Sequence, residues 1–106
     1  MKEQGIMKEQ GIQKQIKDYL TLKGWFVIKN NTVGVWKAKT KHYIPSQSKG
    51  LADLTVIKDS KVIMIEVKKK GGRQSENQIQ FQKDWEQHGG EYMLAYSLEE
   101  VIEKIL

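Results

Sequence analysis

Apolar residues recur along this chain in two rhythms, and the change from one to the other marks out its elements. Ile12, Ile16, Tyr19 and Leu20 follow helical spacing, which predicts a helix from about Lys8 to Lys23 with Gly24 as its stop. Gly11 lies inside it and costs about 1 kcal/mol relative to alanine, so the first turn is expected to fray. "WFVIKNN", residues 25–31, is β-branched and aromatic and ends in Asn-Asn, a strand followed by a turn. "TVGVW", residues 32–36, is expected to pair with it as a second strand, and residues 37–50 read as a loop. Beyond the hairpin described next, Gln78, Phe81, Gln82 and Trp85 return to helical spacing, behind a capping box at Ser75 and Gln78 and ahead of a stop at Gly89-Gly90. "EYMLAY" then reads as a strand. Ser97 and Glu100 form a second capping box that starts a terminal helix with Leu98, Val101, Ile102 and Ile105 inward. Trp25 and Trp85 are read as core residues, and Trp36, which abuts the basic loop, as either a core residue or a stacking platform.

The stretch "GLADLTVIKDSKVIMIEVKKK", residues 50–70, alternates with period two and can be put in register. A turn centred on Asp59-Ser60 sets Val56 opposite Ile63, Leu54 opposite Ile65 and Ala52 opposite Val67, an entirely apolar face. On the other face Ile57 meets Val62, Thr55 meets Met64, and Asp53 meets Glu66. A slip of one residue would mix the two faces, so the apolar pattern selects this register. Opposed side chains hold their Cβ atoms about 4.5–5.5 Å apart, and like charges placed there repel. Lys68 projects from the same face as Glu66. Two carboxylates are thus forced together unless a cation sits between them. Lys68 is one candidate, as a structural ion triad. A divalent metal is the other: Mg²⁺ would take both carboxylates, with the Val67 carbonyl, and keep places for water and a substrate phosphate. Lys68 would then be free to stabilise an attacked phosphate or to activate water.

Composition narrows the setting. The 106 residues are enough for one modest core, and the six-residue string MKEQGI occurs twice in succession. Residues 1–7 are therefore read as an extension or alternative start, and 8–106 as a single domain. The absence of cysteine excludes disulfides and thiolate metal sites and fits a reducing compartment. No apolar run approaches a membrane span, and no signal-peptide segment follows Met1. The net charge of +5 is uneven. Residues 14–73 carry 14 Lys/Arg against 4 Asp/Glu, whereas residues 74–106 carry 2 against 7, a basic face for a polyanion beside an acidic, solvated one. Lys37, Lys39, Lys41 and Lys49, with His42 and Tyr43, crowd the 37–50 loop, and Lys69, Lys70 and Arg73 flank Gly71-Gly72. Both are candidate phosphate contacts, or else ordinary solvated loops. Glu9 shares the inward face of Ile12 and Ile16, and taken alone reads as a solvated first-turn acid; Glu3 falls about 240° away round the helix.

Gly50, Asp53, then Glu66-Val67-Lys68 resembles the D…ExK signature of the PD-(D/E)XK nuclease superfamily. With the Gly/Arg loop and Ser75-x-x-Gln78 following, the chain is similar to the virus-type replication-repair nuclease (VRR-NUC) family over nearly its whole length. The resemblance implies an α/β restriction-endonuclease-like core, a mixed β-sheet flanked by helices. It implies a Mg²⁺- or Mn²⁺-dependent DNA endonuclease in which Asp53, Glu66, the Val67 carbonyl and Glu9 hold metal, Lys68 assists the nucleophile or transition state, and Gln78 orients water or phosphate. Ser75 joins the lysines and Arg73 in contacting DNA. It further implies a homodimer acting on branched DNA such as four-way (Holliday) junctions, in the cytoplasm of a prokaryotic or phage-infected cell and without membrane partners. The rival expectations are a non-catalytic nucleic-acid-binding module, a nuclease for flaps or linear duplex, and a sequence-specific restriction-type enzyme.

Overall fold

In the computed structural model, residues 7–30, 35–37, 42–44 and 49–105 are described. The elements run α1 (Glu9–Leu22), β1 (Phe26–Lys29), β2 (Val35–Lys37), β3 (His42–Ile44), β4 (Leu54–Lys58), β5 (Lys61–Val67), α2 (Glu76–Gln87), β6 (Glu91–Ala95) and α3 (Leu98–Lys104). Four strands form a mixed sheet in the order β1-β4-β5-β6, antiparallel except for β5 with β6. A parallel neighbour needs a crossover, and α2 supplies it.

Helix α1 buries the predicted stripe, with Ile16 and Leu20 fully excluded from water and Ile12 nearly so. Each such side chain stabilises the fold by roughly 1.5–3 kcal/mol. The helix stops where Gly24, at φ +95°, lets Trp25 N–H donate to the Leu20 carbonyl at 2.9 Å and Gly24 N–H to that of Thr21 at 3.1 Å. That is a Schellman closure, and it drops Trp25 into the core beside Leu20. Gly89 and Gly90 end α2 in the same way, through the Glu86 and Trp85 carbonyls.

The β4–β5 hairpin has the register read from the sequence, from Leu54 opposite Ile65 to Ile57 opposite Val62. It closes through Asp59 and Ser60, both at positive φ, in the two-residue turn whose twist matches the strands. One face of the sheet presents Val56, Leu54, Ile63, Ile65, Val67, Met93 and Ala95 to α1 and α3, and this is the core. Val101 of α3 and Ile105, the residue that caps it, are buried there, with Leu98 packed at the edge and Ile102 half-buried. The opposite face carries α2 against β6, and leaves Phe26, Ile28 and Val62 exposed at the hairpin end.

Four expectations are corrected. β2 pairs with β3, not with β1: Trp36 lies opposite Tyr43 in a two-stranded sheet, so His42–Ile44 is a strand rather than loop. β1 pairs instead with β4, because Val27 opposite Val56 puts its half-buried side chain against the core. Trp85 is not a core residue; it is half-buried on α2, stacked 6.0 Å from Phe81, and its indole N–H donates to the Glu91 carbonyl at 2.7 Å. The second capping box is only half formed: Ser97 accepts from Glu100 N–H, but the Glu100 carboxylate reaches past Ser97 to Tyr96 N–H.

Candidate active site

Asp53 lies one residue before β4, where the ladder to β5 has already stopped. Its backbone has left the β4–β5 ladder, and its carboxylate Oδ2 takes the Val67 N–H at 2.8 Å in place of a strand carbonyl. Glu66, the next-to-last residue of β5, is 1% exposed. Its Oε2 accepts from Gln78 Nε2 at 2.9 Å and faces the Lys68 ammonium at 3.4 Å. Its Oε1 is buried with no hydrogen-bond partner among the described residues. The two carboxyls lie close enough for each to shift the titration of the other.

Electrostatics follow from that crowding. Burial pushes the Glu66 carboxyl up to about 8, with the Asp53 charge adding to the rise and Lys68 opposing it. Burial raises Asp53 too, against the lowering effects of Val67 N–H and Lys68. Glu9 is near enough to contribute a further rise to Asp53. Its Oε2 accepts a long 3.4 Å bond from Lys69 N–H, placing it over the exit of β5. Glu9 does not close a three-carboxylate group with the other two: no three His, Cys, Asp or Glu converge as a ready metal cluster among the described residues.

Gln78 holds two places at once. Its Oε1 accepts from Ser75 N–H at 2.8 Å while Ser75 Oγ accepts from Gln78 N–H at 3.2 Å, a complete capping box, and its Nε2 binds Glu66. The start of α2 is thereby fixed against the site. Gly50, at φ +76°, makes this possible, since a Cβ there would run into the Asn77 carbonyl and Gln78 N.

Of the basic residues, Lys69, Lys70 and Arg73 lie exposed in the loop leaving β5, and Lys49 is exposed beside Gly50. Tyr96 O–H donates to the Gly72 carbonyl at 3.1 Å and tethers that loop. Lys37 ends β2 opposite His42; Lys39 and Lys41 lie outside the described residues. Val67 ends β5, fully buried. Sequence reasoning missed the polar layer under α2. Gln74 Nε2 donates to Gln82 Oε1 at 3.0 Å and to the Tyr92 hydroxyl at 3.1 Å, and burial beside Glu66 pushes the Tyr92 phenol up. The spacing of Gln74, Gln78 and Gln82 by fours was the available signal.

The donor set suits a hard dication. Two carboxyls lie close together with one buried oxygen lacking a partner among the described residues, an arrangement that a shared proton or a bound cation relieves. Among solved structures, one described as a VRR_NUC domain is similar to this chain with a TM-score of 0.71, covering 93% of this chain and 95% of that one at 21% sequence identity. No protein-family model matches the chain, and no curated protein does. The chain has the α/β, restriction-endonuclease-like fold of a VRR_NUC domain: a four-stranded mixed sheet with helices on both faces.

Proposed function

We propose that this chain is a Mg²⁺- or Mn²⁺-dependent DNA endonuclease. The observation that carries the reading is the closely placed pair Asp53 and Glu66, with a buried Glu66 Oε1 that has no partner among the described residues and the Lys68 ammonium beside it. Asp53, Glu66 and the Val67 carbonyl would hold the cation, with Glu9 on the neighbouring helix end as a further ligand. When bound, such a cation supplies charge neutralisation at the phosphate and a more acidic water. In the reaction a water oxygen bonds to phosphorus as the bond to the leaving oxygen opposite it breaks; a proton leaves the water and one reaches the leaving oxygen. Lys68 faces the negative charge that grows on the phosphate, and Gln78 keeps Glu66 aimed. Lys69, Lys70, Arg73 and Lys49 draw the backbone in, with Ser75 at the helix start and Lys37, Lys39 and Lys41 completing the basic surface.

The substrate we favour is branched DNA such as a four-way junction, cut by a homodimer that presents two such sites to two strands. The resemblance of the D…ExK, Gly/Arg-loop and Ser-x-x-Gln pattern supports that choice. A second reading draws on the 3.4 Å Lys68–Glu66 pair: Lys68 as a static bridge in a binding module that does not cut. Linear, flap and four-way DNA incubated with protein in Mg²⁺, Mn²⁺ or EDTA separates the two. The nuclease reading expects metal-dependent cleavage, strongest on four-way DNA, lost in Asp53→Asn, Glu66→Gln and Lys68→Ala with DNA binding retained. Salt-sensitive binding with no cleavage in either metal would establish the binding module instead.

A further inference from the structure

Asp53 is held from two sides, and one of the holders lies outside the carboxylate cluster. Its side chain is fixed by Val67 N–H on β5. Its backbone, having left the β4–β5 ladder, is fixed by Asn30, the residue just past β1. Asn30 N–H donates to the Asp53 carbonyl at 2.9 Å, and Asn30 Nδ2 donates to the Ala52 carbonyl at 3.0 Å. Asn30 Oδ1 accepts from Thr55 Oγ1 at 3.1 Å, and both side chains rest on the Met64 sulfur, with Thr55 Oγ1 3.3 Å from it. A single half-buried residue therefore touches residues 52 and 55 through its side chain and residue 53 through its backbone.

We infer that Asn30 is a positioning residue that sets the aim of the Asp53 carboxylate. The inference rests on the reading of Asp53 as a metal ligand. Only an amide fits this place. It needs a donor for the Ala52 carbonyl and an acceptor for the Thr55 hydroxyl on one short side chain, and aspartate would turn an acceptor onto a carbonyl. Without the clamp, the residue at the frayed end of β4 is left to the Val67 bond and the Asn30 backbone bond. A ligand so loosened binds a small, geometrically demanding dication poorly, since supporting shells of this kind are worth about 10- to 100-fold in metal affinity.

Asn30→Ala removes both side-chain bonds and keeps the backbone one, so pairing of β1 with β4 survives. Thr55→Val removes one arm without altering strand shape, and Thr55→Ser restores the hydroxyl. The readout independent of chemistry is amide hydrogen exchange at Val67, whose N–H is bonded to Asp53. Exchange should be about tenfold faster in Asn30→Ala and faster in Thr55→Val, and near wild type in Thr55→Ser, with Ile16 in α1 unchanged as a control. Mn²⁺ affinity, by titration calorimetry, should fall by at least about tenfold in Asn30→Ala and in Thr55→Val, with DNA binding unaltered. Val67 protection equal to wild type in both Asn30→Ala and Thr55→Val, or Mn²⁺ affinity equal to wild type in both, overturns the inference alone. Wild-type protein that takes up no Mn²⁺ overturns the reading of the site and the inference with it.

Discussion

A fold that buries two facing carboxylates should be destabilised by its own site as pH rises, and Glu66 allows the effect to be sized. The residue is 1% exposed and its carboxyl is raised from 4.5 to about 8. The folded state therefore keeps a proton that the unfolded chain releases near 4.5. Stability from this group is fully present below that value, declines between 4.5 and 8, and is constant above. Each pH unit in that window removes about 1.4 kcal/mol, so metal-free protein should lose about 4 kcal/mol between pH 5 and pH 8.5. Against the roughly 5–15 kcal/mol that holds a domain of this size, the loss is large. At about 4–8 °C per kcal/mol it lowers the melting temperature by roughly 15–30 °C. Asp53, also raised, loses stability in the same direction.

The assay is thermal unfolding in EDTA from pH 5 to pH 9, for wild type and for Glu66→Gln, which keeps the shape and cannot ionise. Any fixed penalty from depriving Lys68 of its partner shifts the variant's curve without changing its slope. The slope is the test: the wild-type curve should fall more steeply than that of Glu66→Gln across pH 5 to 8, and the two should run parallel above. Curves parallel over the whole range would refute the account of Glu66 as a carboxyl kept protonated by burial and by Asp53.

Four further outcomes follow from the same geometry. Mn²⁺ at one hundred times its dissociation constant should stabilise wild type at pH 8 by about 2.7 kcal/mol, read by differential scanning fluorimetry; an equal rise in Asp53→Asn would remove Asp53 from the ligand set. Gly50→Ala should cost more than about 1–2 kcal/mol in urea unfolding, because its Cβ meets the Asn77 carbonyl at a positive φ. Gly71→Ala, at φ +83° with nothing within 4 Å, should cost about 1 kcal/mol, the backbone penalty alone. Gln78→Glu keeps an oxygen for Ser75 N–H but turns a carboxylate onto Glu66, so cleavage measured at pH 8 should drop by at least about tenfold while stability at pH 5 changes by less than about 1 kcal/mol.

How far the sequence discloses this molecule depends on whether a feature is dictated by local period or by a partner distant in the chain. The β4–β5 register was legible because two faces, one wholly apolar, leave one alignment that does not bury Lys61 against Ile57. The nearness of the Asp53 and Glu66 carboxyls came with it, although the ladder stops at Leu54 and Ile65 before the two residues pair, as did the double duty of Gln78, whose capping position and inward face are both set by spacing from Ser75 and Phe81. The pairing of β1 was not legible. Val27 has the same β-branched signature whether its neighbour is β2 or β4, and the choice rests on core contacts contributed by α1 and β4. Trp85 failed for a related reason: its face of α2 meets a hydrogen-bonded layer of Gln74, Gln82 and Tyr92 rather than a hydrophobic one, so helical period placed it inward without burying it. The exit of Asp53 from the ladder is the sharpest case. In an ideal hairpin its backbone would pair with β5 and its carboxylate would point at Glu66 with nothing to hold it. The chain instead gives up that pairing, lets the carboxylate take the Val67 N–H, and secures the freed backbone through Asn30, twenty-three residues upstream. No periodicity encodes such an exchange. It follows from the requirement that every buried backbone donor find an acceptor, and it converts a repulsive cross-strand pair into two carboxylates held at fixed positions, the condition a small dication imposes on its ligands.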